Sequence, residues 1–396
     1  MMNRICVSLV DPVGGHGGAL HLYDFGLAEH LGTNGVDVTL YTCAETPPPE
    51  PGAGFSIVYS FIGIWGRANK LKRFVRYLRG MLNTIGSSRR QKARVVHFQF
   101  FAVTLLEAIS VIFAKLAGLK IVITAHDVES FANDHNQFLS TWVYRSARKV
   151  IAHNDFSRGE LVSKIRVAAD KIAVIPHGNY LTWLGQSVSK EEARRTLKLP
   201  SGVPILLLFG AIKPVKRLDL LLRAMPLVLS EIPDVHLVVA GTLWKGGTFD
   251  SFQELIDEAG LGSHVITDLR GHIPDDDAEN YYRAADLVVL PYDRVYQSGV
   301  LLMAMSYSQP VLVSNVPGML ELVEEGVTGF TFETGNVESL AEKLKSVLKA
   351  DALRETVAKR GYQKVTELYD WKRIGRLTAD AYREVLGESR QPDGGY

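Results

Sequence analysis

Three cations placed close behind a glycine turn are the first hint of chemistry in this chain. Residues 205–219 read Ile-Leu-Leu-Leu-Phe-Gly-Ala-Ile-Lys-Pro-Val-Lys-Arg-Leu-Asp. Ile205 to Phe209 is the unbroken apolar run of a strand covered on both faces. Gly210 lets the backbone turn sharply. Lys213, Lys216 and Arg217 then fall beyond the carboxyl end of the strand, where open parallel sheets bind their ligands. The spacing predicts a helix over 218–229, whose positive N-terminal end points the same way. Such a turn suits an anion, above all a phosphate. Taken alone it reads equally as a solvated basic surface, and the rest of the chain has to decide.

Two more glycine-bearing turns follow predicted strands. Asp11-Pro12-Val13-Gly14-Gly15-His16-Gly17-Gly18 leads into an amphipathic helix with Leu20, Leu22, Phe25, Leu27 and Leu31, and Gly15, Gly17 and Gly18 leave backbone amides bare toward a ligand. The Gly-x-Gly-x-x-Gly spacing is absent, and Tyr41-Thr42-Cys43 rather than an acid ends the second strand, which disfavours a nicotinamide cofactor. At 286–300, a strand meets a polar turn ending Gln297-Ser298-Gly299-Val300. Gln297 hydrogen-bonds sugar hydroxyls without charge. The amides from Ser298 onward offer a phosphate or sugar contact, although Ser298 also reads as a plain helix cap. Glu321, after the next strand, adds a carboxylate on the same edge. Asp275-Asp276-Asp277 reads as a helix start rather than a metal pair, and neither metal nor cofactor is expected.

The elements that must carry these turns alternate strand and helix, the pattern of an α/β protein with parallel sheets. Strands are predicted near 4–10, 37–42, 56–61, 94–98, 120–124, 149–152 and 172–176, and again near 204–209, 235–240, 264–269, 286–290, 310–314 and 329–332. The expected organisation is a Rossmann-like domain over 1–181, a polar linker over 182–203, and a second Rossmann-like domain over 204–370. A helix and tail over 371–396 pack back toward the first domain, with the end of the tail disordered. The strand ends of the two sheets are expected to face a cleft between the domains.

Composition narrows the partners. The chain has 396 residues, 46% hydrophobic and 22% charged, with a formal net charge of +1, so a nucleic-acid binder is not expected. Only two cysteines occur, Cys6 and Cys43, which fits a reducing cytoplasm. The N-terminal apolar run, Ile5 to Val10, is too short for a signal peptide. Residues 102–124 carry Glu107, Lys115 and Gly118, as a core helix followed by a strand would, not a membrane span. Residues 67–94 include Arg67, Arg73, Arg76, Arg79 and Arg90 and no acid, with Leu71, Phe74, Val75, Leu78 and Leu82 at helical spacing. That helix either lies on anionic lipid at the inner face of the membrane, or receives an acidic lipid-linked acceptor, or packs into the core with a solvated basic face.

In order and spacing the motifs resemble glycosyltransferase family 4, the retaining glycosyl transferases group 1 with the GT-B fold, over nearly the whole chain. Gly14 to Gly18 stands at the family's N-terminal glycine loop, Ile123-Thr124-Ala125-His126-Asp127 at its His-Asp strand end, and Ile175-Pro176-His177-Gly178-Asn179 before its interdomain linker. Phe209 to Lys216 is similar to its phosphate turn and Ala240-Gly241 to its next strand end. Gly271-His272-Ile273-Pro274 is similar to its base-reading segment, and Pro317 to Glu321 with Glu325 to Gly329 to its C-terminal signature.

The resemblance implies an N-terminal acceptor domain and a C-terminal domain holding a nucleotide-diphosphate sugar. Lys213, Lys216 and Arg217 would sit on the diphosphate, Ile273 on the base, and His126 on the sugar or the acceptor. It also implies front-face attack without a protein nucleophile and without a metal. The implied activity is a hexosyltransferase acting on a saccharide or lipid-linked saccharide in polysaccharide or glycoconjugate assembly. One departure stands out: the family's paired glutamates fall on Val295 and Met303, leaving Glu321 as the substitute for ribose contacts. A non-catalytic relative that binds nucleotide sugar or a partner is the main alternative, and a nucleotide-sugar epimerase, which needs carboxylate bases, the weaker one.

Overall fold

The computed structural model describes residues 4–17, 20–129, 136–185, 188–244, 247–271 and 273–389. The chain divides into one unit of Met1–Gly178 with Tyr369–Tyr396 and a second of Asn179–Leu368.

In the first unit seven strands form one sheet: β1 (Ile5–Asp11), β2 (Val36–Cys43), β3 (Ser56–Phe61), β4 (Val95–Phe100), β5 (Lys120–Ala125), β6 (Lys149–Ala152) and β7 (Ile172–Val174). Their order is β3-β2-β1-β4-β5-β6-β7, and every pairing is parallel. The connecting helices are α1 (Leu20–Gly32), α2 (Lys70–Arg90), α3 (Leu105–Leu116), α4 (Gln137–Ser146) and α5 (Asp155–Ser163). Burial on both faces explains why β4 and β6 are inaccessible along their whole length. Helix starts follow local chemistry: Thr104 and Glu107 form a capping box at α3, and Asn154 caps α5.

The second unit opens with α6 (Lys190–Thr196) and continues β8 (Ile205–Phe209), α7 (Leu218–Leu229), β9 (His236–Ala240), α8 (Asp250–Glu258), β10 (Val265–Asp268) and α9 (Asp275–Ala284). It goes on through β11 (Leu287–Leu290), α10 (Gly299–Ser306), β12 (Val311–Ser314), α11 (Pro317–Leu320), β13 (Phe330–Phe332), α12 (Val337–Leu348) and α13 (Asp351–Leu368). The sheet order is β10-β9-β8-β11-β12-β13, again parallel. Leu206, Leu208, Leu237 and Val239 pack in one core with Leu221 and Met225 of α7 and Leu340 and Leu344 of α12. The last helix, α14 (Trp371–Leu386), belongs to the first unit.

Residues 182–203, expected to be a linker, fall within the second unit, which runs from Asn179. Their charges are fastened rather than solvated. Arg194 donates to the Ala284 carbonyl at 3.0 Å and to Asp286 at 2.7 Å, Lys190 reaches the same carboxylate at 2.7 Å, and Asp286 also accepts from the Ile205 amide. A polar composition concealed a docked segment.

At the other end of the chain, α14 is anchored by Trp371, buried against Gly26 and Gly178, where a Cβ atom would lie 2.4 and 2.1 Å from the indole. The Arg383 guanidinium donates to the Asn34 carbonyl at 2.7 Å, and Glu384 pairs with Lys149. The tail from residue 390 lies outside the described residues.

Helix α2 turns a different face inward from the one its pattern suggests. The buried side is Tyr77, Gly80, Met81, Thr84 and Ser88. Leu71, Val75 and Leu82 are 71%, 55% and 58% exposed. Among the described residues, no helix is long and apolar enough to cross a membrane.

Candidate active site

In the second unit the site is built around the end of β8. Gly210 has a φ of +93°, and its amide donates to the Ala240 carbonyl at 2.8 Å. A Cβ on Gly241 would lie 2.1 Å from the Gly210 carbonyl oxygen, so the two strand ends approach as only glycine permits. Pro214–Lys216 form a single 3-10 turn, and Arg217, in the left-handed region at φ 51°, starts α7.

This turn folds Lys216 back onto its own strand. The side chain is buried, and its ammonium donates to the Phe209 carbonyl at 3.0 Å and lies 5.3 Å from the centre of the Tyr292 ring. Burial, then the nearby charge of Lys213, brings its pKa down to about 7. A Cβ on Gly210 would sit 3.1 Å from that ammonium and 3.4 Å from Val300, which places Gly210, Lys216 and the first turn of α10 together. Ser298 caps α10 by accepting from the Leu301 amide, and Gly299 lies against the Tyr180 hydroxyl. Gln297 Nε2 is buried without a hydrogen-bond partner among the described residues. Gly318 rests against the Val295 and Tyr296 carbonyls, so the segment leading to Glu321 meets the segment leading to Gln297.

The other expected residues fall elsewhere. Lys213 has its ammonium 4.2 Å from the centre of the Trp244 ring. Arg217, expected on the phosphate, is clamped by carboxylates: Asp219 at 2.9 Å and Asp293 at 2.8 Å. It braces α7 against the loop after β11. A cavity of about 580 Å³ lies beside this brace, lined by Arg217, Asp219, Trp244, Phe252 and Asp293 among others, and not by Lys216. Ile273 is buried just before α9, its neighbour His272 lying outside the described residues. Glu321 is exposed at the end of α11.

In the first unit the glycine turn hangs on Asp11, whose carboxylate accepts from the Val13 amide at 2.8 Å and the Gly14 amide at 3.0 Å. The Gly15 amide donates to the Thr46 hydroxyl at 3.0 Å, and His16 stacks on Trp65. Gly17 closes the short turn, and Gly18 lies outside the described residues. Beneath the turn Asp24 is buried, and burial, then the charge of Asp11, pushes its carboxyl well above the usual range.

His126, just past the end of β5, is buried together with His97, His153 and His177. Its Nε2 lies 2.8 Å from Gln99 Oε1 and its Nδ1 3.1 Å from His153 Nε2. His153 Nδ1 is 3.1 Å from the Ile175 carbonyl oxygen and His177 Nδ1 2.7 Å from that of Gly178, while His97 bridges Tyr382 and Thr124. Burial lowers all four: His153 and His97 to about 3, His177 to about 4, and His126 well below its ordinary value, with repulsion from His153 second. All are neutral imidazoles at neutral pH. Sequence reasoning missed His153 and Tyr292. The available signal was a histidine and an aromatic residue placed, like His126, just past the carboxyl end of a strand.

Comparison with known proteins agrees with this arrangement. Residues 17–179 match Glycosyltransferase Family 4, and residues 189–364 match Glycosyl transferases group 1. A D-inositol 3-phosphate glycosyltransferase of Nocardioides sp. is 24% identical over 97% of this chain and 89% of its own. An uncharacterized glycosyltransferase of Methanocaldococcus jannaschii is 30% identical over 63% of this chain and 64% of its own. Among solved structures, sucrose-phosphate synthase from Thermosynechococcus elongatus superposes with a TM-score of 0.79 at 20% identity, covering 98% of this chain and all (100%) of that one. Anabaena Alr3699/HepE in complex with UDP-glucose superposes at 0.76 and 18% identity, covering 96% of this chain and 100% of its own. Two parallel-sheet Rossmann-like units of seven and six strands, the GT-B class, and both family matches lead to one conclusion: the chain is a glycosyltransferase of family 4.

Proposed function

We propose that this glycosyltransferase transfers a hexose, with retention and without a metal, from a nucleotide-diphosphate sugar to a saccharide or lipid-linked saccharide in polysaccharide or glycoconjugate assembly. The reading rests above all on Lys216, a buried amine next to an open glycine turn and the start of α10. Negative charge develops on the leaving diphosphate during transfer. A cation held in a low-dielectric pocket next to a helix N-terminus stabilises that charge in place of a metal ion. The Gln297 amide nitrogen, without a partner among the described residues, supplies a donor for a hydroxyl or phosphate oxygen. Anabaena Alr3699/HepE is solved in complex with UDP-glucose and with UDP, so a uridine nucleotide is the first donor to try.

The first unit takes the acceptor in this reading and works in the cytoplasm at an anionic membrane face. Its α2 exposes Leu71, Val75 and Leu82, and neighbouring α3 exposes Leu105, Ile112 and Leu116. Lys72, Arg79, Arg89 and Arg90 are exposed on α2 as well. Apolar side chains in a basic surround suit a lipid-linked, negatively charged acceptor.

A panel of nucleotides and nucleotide sugars in thermal-shift and turnover assays tests the donor half. UDP or UDP-glucose should raise the melting temperature, and turnover should survive a chelator. Stabilisation by no nucleotide in the panel, or turnover that depends on added divalent metal, would reject it.

A further inference from the structure

The hydrogen bonds around His126 determine which of its nitrogens carries the proton. The Ile175 carbonyl oxygen can only accept, so His153 Nδ1, 3.1 Å away, must be the donor. A neutral His153 then has a bare lone pair on Nε2. His126 Nδ1 lies 3.1 Å from that lone pair and must donate to it. A neutral His126 is left with a lone pair on Nε2, aimed at the head of Gln99 at 2.8 Å. An amide oxygen there would oppose lone pair to lone pair. The same amide has its nitrogen buried without a hydrogen-bond partner among the described residues. Exchanging the two ends of the Gln99 head group removes both faults at once and turns Gln99 into a donor toward His126.

The ring has little freedom to escape this chain. It stacks on Phe101 with centroids 4.2 Å apart, and Tyr23 meets it edge-on at 4.8 Å. Its backbone amide is tied to the Phe100 carbonyl. His153 stands on the neighbouring strand, just past the end of β6.

We infer that His153 is a positioning residue that locks His126 as the Nδ1–H tautomer, so that His126 meets a saccharide hydroxyl as a hydrogen-bond acceptor through Nε2. This deepens the proposed function and rests on its reading that the first unit takes the saccharide acceptor. A hydroxyl that reaches Nε2 replaces the Gln99 amide as donor, and its oxygen becomes more electron-rich. His126 is thereby excluded as an acid toward the leaving group.

The test needs no ligand, so it stands apart from the identity of the donor. In full-length protein labelled with 15N-histidine, long-range proton–nitrogen spectra distinguish the two tautomers, and His126 is assigned by the signals missing in His126→Gln. The expected wild-type spectrum shows His126 protonated at Nδ1 and bare at Nε2. In His153→Phe the proton should move to Nε2, with Gln99 turning its oxygen inward. In His153→Gln, whose side-chain oxygen can accept, it should stay on Nδ1. A wild-type His126 protonated at Nε2 would overturn the inference, as would a folded His153→Phe protein with an unchanged tautomer. If His153→Phe does not fold, the wild-type spectrum decides alone.

Discussion

Lys216 donates to the carbonyl of Phe209, seven residues back, at 3.0 Å, so the cation after the turn reports on the strand before it. The unfolded chain holds this proton up to the ordinary lysine value of 10.5, whereas the folded chain releases it from about 7. Between those values the unfolded state binds more protons, so stability rises with pH there. Lys216→Met removes the buried amine. Its melting temperature should exceed that of wild type most at and below neutral pH, with the gap shrinking as the solution becomes alkaline. The same variant should lose the melting-temperature rise produced by UDP. A ligand response that survives in Lys216→Met would separate the lysine from phosphate binding.

Asp24 carries the opposite linkage. Burial raises its folded pKa, so above the ordinary carboxylate range of 3.8 the folded state keeps a proton that the unfolded chain has lost, and stability falls as pH rises through the folded value. Asp24→Asn keeps the shape of the side chain without the titration. Thermal melts from mildly acidic to mildly alkaline buffer should show a flatter pH dependence in the variant, with its largest advantage at alkaline pH.

Trp371 gives α14 its hold on the first unit. Trp371→Ala should cost about 3–5 kcal/mol in urea unfolding of that unit. Gly178→Ala, which drives a Cβ to 2.1 Å from the indole, should cost about 1–3 kcal/mol. A neutral result for Gly178→Ala would mean that the indole can move aside.

Vesicle binding discriminates the two ingredients of the α2 surface. Co-sedimentation with anionic vesicles should fall at least several-fold in Leu71→Ser/Val75→Ser/Leu82→Ser, and lose its salt sensitivity in Lys72→Gln/Arg79→Gln/Arg90→Gln. Arg73 and Arg76 are poor targets, because they donate to the Ile64 and Gly63 carbonyls at 2.6 and 2.9 Å and support the loop before the helix. Equal binding to neutral and anionic vesicles by wild type would remove the electrostatic component.

Much of this protein is legible along the chain. A strand buried on both faces requires an unbroken apolar run, so β8 and β11 announce themselves in Ile205–Phe209 and Leu287–Leu290. Lys216 and Ser298 follow directly, because glycine turns and helix caps are local chemistry. Face selection in α2 is less local: Gly80 and Ser88 are buried because strands and helices distant in sequence come close enough to exclude larger side chains, as the Ser8–Ser88 hydrogen bond shows.

Residue order therefore specified the strands, the turns and the family. Tertiary structure alone brought His153 to His126 across adjacent strands, drew Arg217 to Asp293, and buried Lys216 beside Tyr292. Those pairings depend on which strand lies next to which and in what register, and neither leaves a periodic trace in a single run of residues.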